Sequence, residues 1–158
     1  MGKPVKKKAA LPLGWSAPVL NFETRPYPSM TRHDKNVRAL NCVVTDRPGV
    51  TLHHVHGRSV GRKMVELGMD PVNAMGRRGY SDALVIPLVL EFHSYGPYAI
   101  DGQMGVEAWE ERFGSQVDHV DTVSRLLGYD LWEMHRFLMS LKSKSKYFAG
   151  LKGSHTGV

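Results

Sequence analysis

Cysteine is nearly absent. Cys42 stands alone in 158 residues, which excludes an intramolecular disulfide and any zinc module built on several thiolates. No run of about 18 apolar residues occurs, so no membrane-spanning helix is expected. Acids are the minority charge, 15 against 21 Lys and Arg, for a formal net charge of +6. The opening Met1-Gly2-Lys3-Pro4-Val5-Lys6-Lys7-Lys8 is followed by no apolar stretch, so it does not read as a secretory leader and a cytoplasmic location is the default. Aromatic residues are not lacking: three Trp, six Tyr and five Phe suffice for a core and argue against wholesale disorder.

The charge is unevenly spread. Residues 101–133 hold Asp101, Glu107, Glu110, Glu111, Asp118, Asp121, Asp130 and Glu133 against Arg112 and Arg125. The positive charge gathers in the tail (Lys3, Lys6, Lys7, Lys8), in a middle segment (Arg58, Arg62, Lys63, Arg77, Arg78) and in the run Lys142, Lys144, Lys146 and Lys152. A basic tail by itself is a solvated end. Bases beside a histidine cluster are more informative, because they can hold a phosphate backbone against the chemistry the histidines perform.

Residues 1–30 are rich in Pro and Lys and read as an extended arm, with Leu11, Leu13, Trp15, Val19, Leu20 and Phe22 suited to packing. Residues 31–158 then form one domain. Residues 37–45 look strand-like, Asp46-Arg47-Pro48-Gly49 signals a turn, and residues 50–55 resume a strand, which predicts a hairpin. Six glycine or proline positions make 57–81 a long loop, with one helical turn near Lys63–Leu67. The apolar run 83–90 predicts a buried strand ending near Pro87. Residues 93–105 return to Gly/Pro-rich loop. Three helices follow: Val106, Trp109 and Phe113 closed by Gly114; Val117 to Leu127 closed by Gly128; and Leu131 to Leu141, ending in lysines that suit the helix dipole.

Histidine is the side chain poised to move a proton near neutral pH, and it is a common metal ligand. Three of the eight lie within four residues, His53-His54-Val55-His56. Strand neighbours point to opposite faces, so His53 and His54 cannot both enter a flat core. Together with Gly57-Arg58, the adjacent pair favours a site over two structural histidines. His33, His119, His135 and His155 have no such neighbours and read as surface or helix-face residues.

His53-His54-Val55-His56-Gly57-Arg58, then Lys63, then Ser81-Asp82-Ala83-Leu84-Val85-Ile86-Pro87-Leu88, then His93, resembles the HNH (ββα-metal) endonucleases. Gly96 to Asp101 and Trp109 to Gln116 narrow the resemblance to phage recombination endonucleases of the Ref type and related small phage HNH proteins. It spans about residues 37–118. It implies an α+β fold: a small β-hairpin and ββα-metal core at about 37–105, followed by two or three helices. It implies a metal-dependent DNA endonuclease or nickase, with DNA and a recombinase filament or other phage or host DNA-processing protein as partners.

The same resemblance implies site roles. His54 is the general base, and Asp82 stands where the motif carries Asn. His53 and His93 are metal ligands, with Asp101 as a further oxygen ligand ranked below His93. The cofactor is one divalent cation, Mg²⁺ or Mn²⁺ ahead of Zn²⁺ or Ni²⁺. Arg58, Arg62 and Lys63 contact phosphates, while Arg77 and Arg78 are either DNA contacts or solvated. His56 is open between a third ligand, a phosphate contact and an exposed residue, with the last two preferred. Tyr95 and Tyr98 fit packing better than base stacking. Relatives carry further cysteines for structural zinc; with Cys42 alone, packing must hold that region. Two other classes compete: a non-catalytic DNA-binding protein on a decayed HNH scaffold, and an interaction factor that docks through the acidic helices 106–135.

Overall fold

A computed structural model describes residues 26–71 and 82–141. Residues 1–25 of the arm, the Arg77-Arg78 pair and the lysine run after residue 141 lie outside the described residues. Helix α1 spans Met30–Arg38, and its first turn is capped by Ser29, whose side chain accepts a hydrogen bond from the Arg32 amide at 3.1 Å. It buries His33 and Val37, one turn apart. Strand β1, Thr51–His54, pairs antiparallel with β2, Val85–Leu88, in the register Thr51 to Leu88 and His54 to Val85. Helix α2 covers Arg58–Glu66 and the single turn α3 covers Leu90–His93. Helices α4, Val106–Phe113, and α5, Gln116–Leu127, follow, and α6 occupies residues 131–141.

The fold is therefore mixed α+β, with two antiparallel strands among helices. Every residue of β2 is buried, as its apolar run requires. One core joins Val55, Met64, Leu84, Ile86, Leu88, Ile100, Trp109, Val120, Val123, Leu131 and Met134. The sheet rests against α1 and α5, and α2 packs on α5. The core thus forms a floor under the sheet, with His54 the partly exposed end of β1.

Two expectations about the elements are corrected, and His33 and His135, read as surface or helix-face residues, are fully buried. Residues 37–45 are not a strand: Ser29 starts a helix that runs through Val37 to Arg38, and a hydrogen-bonded turn follows. The hydrogen-bonded turn falls at residues 42–46, ahead of the expected 46–49, where Asp46 and Gly49 take positive φ, and β1 pairs with β2 and not with the segment before the turn. Val43 still reaches the sheet, donating its amide to the Pro87 carbonyl at 3.1 Å. Residues 58–66 are a full helix and not loop with a single turn, because Val60 and Met64 supply a buried face at helical spacing and outweigh Gly61. The expectations for β2, α4, α5 and α6 agree with the structure, with Gly114 and Gly128 as C-caps of α4 and α5.

A candidate metal centre beside an exposed histidine

β1 ends in the histidine run, and strand alternation separates its members. His53 is fully buried, whereas the His54 side chain is 39% exposed. Beyond the strand, His56 turns back toward the same cleft. The single turn α3 presents His93, and the loop that follows folds back so that the Asp101 amide donates to the His93 carbonyl at 2.9 Å. That return places the Asp101 carboxylate among three imidazoles. His53 Nδ1 lies 3.1 Å and His93 Nε2 lies 3.4 Å from Asp101 Oδ2, and His56 Nε2 lies 2.7 Å from Oδ1. Burial opposes the charged form of Asp101. Where His53, His56 and His93 donate protons to it, those contacts outweigh burial and hold the carboxyl well below the usual carboxylate range.

The surrounding hydrogen bonds fix which ring atoms face this carboxylate. Gln116 is fully buried; its amide nitrogen donates to the His56 carbonyl at 2.6 Å and to Glu110 Oε2 at 3.2 Å. Its oxygen therefore faces His53 Nε2 at 2.8 Å, so Nε2 carries the proton. In the neutral ring, His53 Nδ1 then turns a lone pair toward Asp101. Thr51 repeats the pattern. Its hydroxyl proton goes to the Leu88 carbonyl at 2.9 Å, so the hydroxyl oxygen accepts from His93 Nδ1 at 2.7 Å, and Nε2 is the atom turned to Asp101. Two imidazole acceptors facing one carboxylate repel unless positive charge lies among them, either extra protons or a cation. Histidine ligands are commonly oriented in this way, by a partner on the far ring nitrogen.

His53, His56 and Asp101 bring ligand atoms within 4.8 Å of one another, a group able to hold a metal ion. His93 stands beside that group, against Asp101. His56, preferred from sequence as an exposed or phosphate-facing residue, thus sits within the ligand-forming group.

The cluster opens into a cleft of about 460 Å³ lined by Leu52, His54, His56, His93, Ile100, Asp101, Gly102, Gly105 and Val106. His54 forms part of its wall, with Nε2 at 3.3 Å from Asp82 Oδ1. Arg58 and Arg62 stand one turn apart on exposed α2 positions, and Arg58 pairs with Glu107 at 3.6 Å beside the cleft residue Val106. Lys63 is half-buried, about 100° around the helix from Arg62. Tyr98 stacks on Phe92 under the Arg112 guanidinium yet stays 41% exposed, and Tyr95 is 75% exposed.

Gln116, Glu110, Ser59 and Thr51 escaped the sequence reading. A glutamine opening a helix carries no signal of burial, and its histidine partners lie some sixty positions away. Comparison with protein families, curated proteins and solved structures finds no match.

Proposed function

We propose that this chain is a metal-dependent DNA endonuclease or nickase that hydrolyses phosphodiester bonds in the cleft between β1 and α4. The observation that carries the reading is Asp101, ringed by three imidazole nitrogens, two of them turned toward it by Gln116 and Thr51, with a solvent-facing histidine in the same cleft. Three of these groups can hold a metal, and the donor set of two imidazoles and a carboxylate suits a divalent ion. Such a cation, when bound, supplies positive charge against the scissile phosphate.

The chain's own groups do the remaining work. Asp82 Oδ1 accepts from His54 Nε2–H and orients the imidazole that takes the proton of an attacking water. The Asp82 carboxylate then steadies the imidazolium. Arg58, Arg62 and Lys63 hold flanking phosphates. Thr51 orients His93, whose Nε2 then stands beside Asp101 next to the ligand-forming group.

Incubation of supercoiled plasmid with the protein and Mg²⁺, Mn²⁺, Zn²⁺ or Ni²⁺ tests this. Relaxation or linearisation by the wild type, abolished by EDTA and by Asp101→Asn, is expected. Binding without cleavage in every metal would overturn the enzyme in favour of a non-catalytic DNA-binding protein.

A further inference from the structure

We infer that Gln116 is the positioning residue of the candidate metal centre, orienting His53 through its ring and His56 through its main chain. The inference rests on the reading of His53, His56 and Asp101 as cation ligands. Gln116 touches neither the cleft nor any substrate position, so it acts only through those two residues.

Its side-chain amide uses its full hydrogen-bonding capacity in a fully buried place. The oxygen accepts from His53 Nε2 at 2.8 Å and from the His56 amide at 3.2 Å. The nitrogen donates to the His56 carbonyl at 2.6 Å and to Glu110 Oε2 at 3.2 Å. β1 stops at His54, and the amide takes the place of a partner strand for His56, satisfying both its N–H and its C=O as a neighbouring chain would.

The amide cannot turn over. Glu110 Oε2 collects three donors: the Gln116 side chain, the Gln116 main-chain amide at 2.8 Å and the Ser59 hydroxyl at 2.7 Å. A flipped amide would set its oxygen against that carboxylate and against the His56 carbonyl. One carboxylate thus locks one amide, and the amide locks one imidazole and one peptide. Ser59 lies on α2 beside Arg58, so the lock also ties the basic helix to the centre.

An amide of this length is required. Glutamate keeps an acceptor for His53 but has no donor for His56 and faces Glu110 charge to charge. Methionine keeps the shape but offers neither acceptor nor donor, so the fully buried His53 Nε2 loses its Gln116 bond.

The test is the protonation of His53 Nε2, read by ¹⁵N–¹H correlation of the ring in the full chain at about pH 8.5, where an ordinary imidazole is neutral. Metal-free wild type is expected to keep Nε2 protonated, whether or not Nδ1 also carries a proton. In Gln116→Met the single proton is expected to move to Nδ1, where Asp101 accepts it. An unprotonated Nε2 in the wild type, or no change in the variant, would overturn the inference.

Calorimetric titration with Zn²⁺ alone gives the functional arm. Gln116→Met is expected to bind about 10- to 100-fold more weakly than wild type at an unchanged circular dichroism spectrum. Equal affinity would overturn the positioning role. If the variant does not fold, the wild-type ring spectrum decides. If wild type binds none of Zn²⁺, Mn²⁺ or Ni²⁺, the metal reading fails while the state of Nε2 still judges Gln116.

Discussion

His54 and Asp82 form a pair whose two members should contribute very unequally, and exposure sets the ratio. His54 lines the cleft but lies outside the ligand-forming group of His53, His56 and Asp101. His54→Ala therefore removes a proton acceptor that is not one of the ligand-forming residues. Loss of a positioned general base costs about 10²- to 10⁴-fold in rate, or about 2.7 to 5.4 kcal/mol of barrier. Asp82 approaches His54 only to 3.3 Å, and its side chain is 69% exposed. A screened pair of that kind is worth about 0.2 to 1 kcal/mol, so Asp82→Ala should slow cleavage only about 1.4- to 5-fold. Single-turnover cleavage of a supercoiled plasmid, at saturating metal and enzyme, measures both without interference from product release. Metal affinity should stay within about twofold of wild type in both variants, since neither side chain belongs to the ligand group. Equal losses in the two variants, or a loss of metal binding in His54→Ala, would refute the division of labour between the exposed wall and the buried centre.

Three further outcomes follow from the packing and the charges. His33 is buried between the Tyr129 hydroxyl and the Ala83 carbonyl, and burial, only partly offset by that carbonyl and by Asp34, lowers its pKa below the usual 6.5. Above pH 6.5 neither the folded nor the unfolded state binds the proton. Below it the unfolded chain does, so stability should fall toward acid by up to about 1.4 kcal/mol per pH unit, then level off below the folded-state pKa. Urea unfolding of wild type and His33→Phe between pH 7.5 and 5 checks this, and a pH-independent difference between them would refute it. Gly57 sits at φ 103°, and an added Cβ would meet Val106 Cγ1 at 3.1 Å, so Gly57→Ala should cost about 1–2 kcal/mol and lower Tm by about 2–8 °C in a thermal melt. Replacing Arg58, Arg62 and Lys63 by Ala should flatten the salt dependence of duplex binding by about 2.7 in log–log slope, read by fluorescence anisotropy; an unchanged slope would place the phosphates elsewhere.

How far the sequence was legible depended on the range of the interactions that decide each element. Helices α4 and α5 carry their own signals, an apolar stripe and a closing glycine, and β2 carries its own in an unbroken apolar run. Helix α1 carries little: one of its two buried positions is His33, whose burial is made possible by Tyr129, 96 residues away. Its apolar stripe is therefore invisible in the local pattern, and the β-branched residues at 43 and 44 suggest a strand where the main chain closes a hydrogen-bonded turn. The site divides in the same way. The histidine run and the later His93 and Asp101 stand out as residue types. The choice of His56 for the ligand group depends on Gln116 holding its peptide, a contact across sixty positions that no local pattern announces.

The solitary cysteine shows what holds the scaffold apart from that centre. With one thiol, no zinc staple of several cysteines can close the turn after α1. The turn closes through its main chain, where the Cys42 amide donates to the Arg47 carbonyl and the Asp46 amide to the Cys42 carbonyl, both at 2.8 Å. Burial opposes the Cys42 thiolate. Hydrogen bonds from the Thr45 side chain and from the amides of Val89, Thr45 and Val44 outweigh it and lower the thiol's pKa. The sulfur is thus an acceptor that ties the turn to Val89, the residue that caps α3, and α3 carries His93. The outer Arg47–Glu91 pair at 3.1 Å joins the same two segments but is half-exposed and adds little. Cys42 therefore does by hydrogen bonding and packing what a metal staple would do by coordination. The metal-capable cluster among the described residues lies at the cleft, apart from that turn.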